Sequence, residues 1–164
     1  MGRKYASIHI FADDQKRVLT ILKDYYDKNN SMEATMHLAS NVFKDTEVRQ
    51  MFERFTSLLV NEVLIIQTKS FVSIYDESLS FESVEEEAYA LSNEIDSPVV
   101  YTSNFDDDVF ICGIFRLGKL MTGGKYGEGL HIYGIEPEIM DVRKFCDELN
   151  INEINLIQSI NASN

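Results

Sequence analysis

Residues 103–119 read SNFDDDVFICGIFRLGK. Aspartate favours bends, because its side chain bonds to nearby backbone and tolerates left-handed conformations. Asp106, Asp107 and Asp108 therefore mark a break in the chain. A strand-length apolar run, VFICGIFRL, follows them, and PVVYTSNF leads into them from Pro98. Gly118 then turns the chain toward KLMTG. Two strand-like runs meeting at a polar bend, with a glycine turn after the second, predict a three-stranded meander.

Outward from the meander, Ser83 followed by Glu86 has the spacing of a capping box. It opens a helix to about Ile95 that buries Val84, Ala88, Leu91 and Ile95. Upstream, EVLIIQTKSFVSIYDES predicts two strands, about 62–67 and 70–76, hinged at Thr68 and Lys69. KYASIHIF, at 4–11, is rich in β-branched and aromatic residues and predicts another strand. Asp13 or Asp14 then opens a helix to about Lys28, with Val18, Leu22 and Tyr25 on one face. Residues 34–43 fit either a strand or a helix, and Thr46 caps a helix whose apolar stripe is Val48, Phe52, Phe55 and Leu59. Downstream, GGKYGEGLHIYG predicts a glycine-rich loop with a short strand near 130–133. Pro137 leads into a helix carrying Val142, Phe145 and Leu149, and a short helix near 153–160 follows.

The sum is an α+β fold: a mainly antiparallel sheet of about five to seven strands with helices packed on one side. The order is βα…ββαβββ, then C-terminal helices. The 164 residues suffice for one core that buries roughly two thirds of the unfolded surface, so 1–164 is expected to be one domain. YASIHIFADD at 5–14 and FVSIYDES at 71–78 echo one another, each before a helix. That echo is consistent with a weak βα repeat over 4–60 and 70–124, and equally with chance.

With 45% hydrophobic and 26% charged residues the chain has the make-up of a folded globular protein. Its longest apolar stretch, SLLVNEVLIIQ, is interrupted by Asn61 and Glu62, short of the roughly 18 residues a membrane helix requires. The apolar part of the N-terminus is short and runs into Asp13 and Asp14, unlike a signal peptide. Cys112 and Cys146 both fall in apolar contexts, as reduced core thiols do. Together these predict a cytoplasmic protein that makes no use of membrane.

The formal net charge is −12, from 27 acids and 15 bases. From Ser70 to Phe115 there is no Lys or Arg, and this stretch alone carries Asp76, Glu77, Glu82, Glu85, Glu86, Glu87, Glu94, Asp96, Asp106, Asp107 and Asp108. Nearly the whole excess therefore sits in one segment. Local preference explains part of it, since Glu85, Glu86 and Glu87 occupy a helix's first turn, where the dipole favours carboxylates. Neither caps nor bends exclude lysine, however. A surface of one sign attracts cations over about a Debye length, roughly 8 Å at physiological salt. Such a surface repels nucleic acid, whose phosphates require Lys and Arg.

Other chemistry finds little support. Consecutive aspartates do not match a calcium loop, which needs alternate acids, a glycine and a distant Glu. A metal-assisted hydrolytic site needs Asp106 and Asp108 to converge with Asp76 and His131. Cys146 sits beside Phe145 and Leu149 on a helix, where a thiol is buried and inert. His9, His37 and His131 are far apart, and no Ser–His or Cys–His pair is apparent from their positions. GGKYGEGLH lacks the spacing of either a P-loop or a dinucleotide fingerprint.

The expectation is a non-enzymatic module that engages a basic protein partner, without cofactor or metal, and without binding nucleic acid directly. Immunity or inhibitor proteins that cover the basic cleft of a nuclease or nucleic-acid-binding protein are the type. The residues expected to carry it are Asp76, Glu77, Glu85, Glu86, Glu87, Asp106, Asp107 and Asp108, with Phe105 and Tyr126 as aromatic anchors. The alternative is a metal-assisted hydrolase using the clustered aspartates.

Overall fold

The structure, a computed structural model, describes residues 4–29, 37–39, 63–76, 78–106 and 108–152. The helix expected after Thr46, the one near 153–160 and most of 34–43 lie outside the described residues. The elements are β1 (Lys4–Phe11), α1 (Gln15–Asn29), β2 (His37–Ala39), β3 (Val63–Gln67), β4 (Phe71–Asp76), α2 (Val84–Glu94), β5 (Val99–Phe105), β6 (Val109–Arg116), β7 (Lys119–Tyr126), a 3-10 helix (Glu128–Tyr133) and α3 (Val142–Leu149).

The seven strands form one sheet in the order β2-β3-β4-β1-β5-β6-β7. Every neighbouring pair is antiparallel except the parallel pair β2–β3. This is the α+β architecture predicted, with the meander of β5, β6 and β7 as one wing. β1 is central because both of its faces are useful. Alternation sends Ala6, Ile8 and Ile10 to one face and Ser7, His9 and Phe11 to the other. On the first face Ile8 and Ile10, both 0% exposed, join Val72, Ile74, Val99 and Tyr101 under Val18, Leu22 and Tyr26 of α1 and Val84, Ala88 and Leu91 of α2. On the opposite face Val100 and Ile114 meet Leu149 of α3, flanked by Phe11, Phe71 and Phe145. The two longer helices thus share a side, and α3 covers part of the other.

Several local expectations change. The stretch 119–126 is a strand with Gly123 and Gly124 inside it, and 128–133 is a 3-10 helix where a short strand was expected. Aromatic rings lying on the sheet account for the glycines in β6 and β7. A Cβ at Gly113 would stand 2.6 Å from the Tyr101 ring, and one at Gly124 would stand 2.5 Å from that of Tyr126. Ser83 does precede α2, but its hydroxyl makes no capping bond. It accepts instead from the Ser80 backbone N–H at 2.9 Å, so the capping box is replaced by a serine-bonded turn. On α1, Tyr26 is buried while Tyr25 lies at the core's margin. A helix advances 100° per residue, and the Val18–Leu22 stripe continues to position 26 at a spacing of four.

Topology brings the acidic segment's ends together. β4 and β5 each run antiparallel to β1. Their C-terminal residues, Asp76 and Phe105, therefore lie at the end of the sheet where β1 starts, and Lys4 pairs with Phe105. β6 begins and β7 finishes at that end too, with Phe110 paired to Tyr126.

Candidate functional site

Asp106 and Asp108 stand at the hairpin between β5 and β6. The Asp108 N–H donates to the Phe105 carbonyl at 3.1 Å, and Asp106 adopts a left-handed φ of 53°. Both features explain aspartate here by backbone geometry. Phe105 forms an aromatic cluster beside the hairpin, with its ring 4.8 Å from Phe81 and 4.8 Å from Tyr133. Tyr133 lies near enough to Asp106 and Asp108 that, after partial desolvation, their charges raise its phenol pKa.

Two clefts flank the link between β4 and α2, Leu79 lining both, and the second adjoins this cluster through Phe81 and Phe105. The first, about 480 Å³, lies between the end of α1 and the start of α2. Its walls include Tyr25, Tyr26, Asp76, Ser83, Glu86 and Glu87. The second, also about 480 Å³, is bounded by Tyr5, Phe81, Glu82, Asn104 and Phe105. Behind the first the Tyr26 hydroxyl is buried beside Glu87, and behind the second Asn104 Oδ1 is buried without a hydrogen-bond partner among the described residues.

The first cleft is electrostatically strained. Burial raises the pKa of Glu87, opposed by hydrogen bonding from Tyr25 and, to a smaller extent, Tyr26, while the nearby Asp76 charge raises it further. The Tyr25 hydroxyl donates to Glu87 Oε2 at 3.3 Å. Burial, reinforced by Glu87, pushes the Tyr25 phenol up to about 12. The Tyr26 phenol moves in the same direction through burial first, then the Glu87 and Asp76 charges. Asp76 Oδ1 accepts from both the N–H and the hydroxyl of Ser78, at 2.8 and 2.7 Å.

The ion pairs among the described residues are Arg116–Glu148 and Lys125–Glu138. Neither involves an acid of the segment 70–115, so Asp76, Glu82, Glu86, Glu87, Asp106 and Asp108 surround the two clefts and the aromatic cluster without described basic partners. The grouping is incomplete, however. Glu85 turns away along α2 toward Tyr101, where its charge adds to burial in raising that phenol's pKa. Glu94 ends α2, about 15 Å along the helix from its start. Glu77 and Asp107 lie outside the described residues.

Tyr126 reaches the same end of the sheet on the face opposite α1 and α2. Register aligns it in one row with Phe110, Asn104 and Tyr5. Tyr5, Phe110 and Tyr126 are 54%, 38% and 37% exposed, and the rings of Phe110 and Tyr126 stack at 6.4 Å. The expected aromatic anchor therefore belongs to an exposed stripe across β1, β6 and β7. Only Tyr126 of that stripe was expected from sequence.

The residues required for a metal-assisted hydrolase do not converge. β1 separates Asp76 from the β5–β6 hairpin, a spacing of about 10 Å across two inter-strand gaps. His131 Nδ1 is engaged with the Glu128 carbonyl at 2.8 Å. Among the described residues no three His, Cys, Asp or Glu side chains gather as metal ligands. Cys112 and Cys146 are free and buried, and burial raises the Cys112 thiol pKa.

A histidine network that sequence spacing did not reveal lies on the other face of the sheet. His9 Nδ1 bonds to Ser73 Oγ at 2.8 Å, and Nε2 to Ser7 Oγ at 3.0 Å. Ser7 Oγ also bonds to Thr102 Oγ1 at 3.0 Å. Ser7 and Ser73 are each 5% exposed, so this arrangement satisfies buried polar groups between strands. Its signal was the alternation Ser7-Ile8-His9, which places both polar side chains on one face; Ser73 and Thr102 required the register.

Comparison with protein-family models, curated proteins and solved structures gave no match.

Proposed function

We propose that the chain is a non-enzymatic binding protein whose acidic end engages a basic protein partner. By this reading it acts as an immunity or inhibitor protein does, occupying the cationic cleft of a nuclease or nucleic-acid-binding protein. The observation that carries it is the gathering of six carboxylates from three parts of the chain around an aromatic cluster of half-buried Phe81 and Phe105 and exposed Tyr133, none of the six paired with a base among the described residues. Carboxylates supply steering and long-range complementarity, while tyrosine and phenylalanine supply the desolvated anchors on which affinity rests.

The test is association of the full chain with a panel of purified basic nucleases, with hydrolysis of nucleic acid as a second readout. Binding is expected to weaken as sodium chloride is raised and to fail when Glu86, Asp106 and Asp108 are changed together to Lys. Inhibition should disappear in parallel. A complex indifferent to both salt and charge reversal would overturn the proposal.

A further inference from the structure

We propose that the tip of the β6–β7 hairpin docks into the cleft beside Phe105 of a second copy of this chain, joining copies head to tail. The inference rests on the reading of the acidic end given above and names a partner for it.

The turn carries the argument. Leu117 and Gly118 connect Arg116 to Lys119, which pair across the ladder. Both turn residues have positive φ, 50° and 68°, as a tight two-residue hairpin loop requires. Glycine adopts that conformation freely and asparagine tolerates it, but a bulky side chain there is strained. Leu117 gains nothing inside the fold in return, because it stays 64% exposed. Backbone geometry and burial both favour another residue, so leucine at this position serves a contact outside the chain. Leu120, also exposed, extends the apolar tip along β7.

Charge defines what the tip fits. Arg116 and Lys119 flank the leucine; Arg116 pairs with Glu148 at 3.4 Å at the surface, and Lys119 has no ion pair among the described residues. An apolar finger with a cationic collar matches an apolar cleft bordered by carboxylates. The cleft of about 480 Å³ at the other end of the sheet has Tyr5, Leu79, Phe81 and Phe105 in its walls beside Glu82, and Asp106 follows Phe105. The two surfaces cannot meet within one molecule. β6 runs from Val109, paired with Phe105 at the cleft, to Arg116 at the turn, a span of about 24 Å. The tip therefore reaches only the cleft of another copy, a heterologous contact that leaves one tip and one cleft free. The net charge of −12 opposes self-association, but at physiological salt screening over roughly 8 Å confines the balance to charges at the contact.

Sedimentation of the full chain at physiological salt is expected to show a mass that rises with concentration. Leu117→Asn is expected to abolish that rise with an equal or higher Tm, since asparagine relieves the turn. Tyr5→Lys combined with Glu82→Lys, both at exposed positions, is expected to abolish it from the cleft side. Each change should weaken association at least about tenfold, the equivalent of burying one leucine side chain. The decisive measurement mixes the two variants. Each retains the half that the other lacks, so the mixture is expected to form a one-to-one dimer and nothing larger. The inference is overturned by a chain that is monomeric at every concentration, by a Leu117→Asn variant that assembles as the unaltered chain does, or by a mixture that yields no dimer. Leu117→Asn leaves the acidic end unaltered. If self-association is absent while this variant still captures a nuclease in a salt-dependent manner, the proposed function stands without this contact; if copies associate and no nuclease is captured, only the foreign partner fails.

Discussion

His9 shows how a titratable residue is accommodated in the sheet. Its two ring nitrogens are taken by Ser7 and Ser73, and the edges of Phe71 and Tyr75 close around it. Burial lowers its pKa below the usual 6.5. The unfolded chain therefore binds a proton more readily than the folded one. The associated stability is complete above pH 6.5 and is lost as pH falls from 6.5 through the folded pKa, with no further loss beneath it. In thermal or urea unfolding across this range, His9→Gln is expected to remove part of the pH dependence. The difference between the two curves should be no steeper than about 1.4 kcal/mol per pH unit, the limit for one proton. Superimposable curves would show that His9 is protonated equally in both states. Sequence disclosed the histidine and its strand but not the network, because Ser73 is 64 residues away and only strand pairing brings it near.

At the scale of elements, periodicity was most informative where one face is buried. Val84, Ala88, Leu91 and Ile95 were expected on one side of a helix and are all buried. The paired runs around Thr68 and Lys69 are β3 and β4, closed by Thr68 N–H bonding to the Phe71 carbonyl at 2.8 Å. The Ser-Ile echo also acquires a local meaning: Ile8 pairs with Ile74 in the β1–β4 ladder, both in the core. The second half of β7 was misread as loop, because glycine ordinarily weakens a strand. Here the missing Cβ atoms leave room for rings from other positions. Gly113, which pairs with Gly123 across β6 and β7, provides the test. Gly113→Ala is expected to destabilise by about 1–3 kcal/mol, since its Cβ would meet the Tyr101 ring at 2.6 Å. A urea midpoint unchanged from the unaltered chain would mean that Tyr101 has room to move.

For the whole molecule the governing quantity is where its formal charge of −12 is displayed. Carboxylates collected without described ion pairs repel one another, and salt reduces that repulsion. Sodium chloride is accordingly expected to raise the Tm of the unaltered chain. The rise should shrink when Glu86→Gln, Asp106→Asn and Asp108→Asn are combined, as measured by calorimetry at constant pH. A Tm that falls with salt would show that attractive pairs outweigh this repulsion. Under the proposed function, a basic partner that matches these charges would recover the stability their repulsion holds back.

The amino-acid order by itself determined most strands and helices, the antiparallel meander, the apolar helix faces and the confinement of acids to one segment. These follow from side-chain period, turn chemistry and composition, all of them local. Tertiary structure decided that Asp76, Glu86, Glu87, Asp106 and Asp108 share one end of the sheet, that Glu85 and Glu94 leave it, and that Tyr26 is buried beside Glu87. Those outcomes depend on strand order and register, which are set by the packing of Ile8, Ile74 and Tyr101 across residues far apart in the chain, and no local pattern encodes that distance.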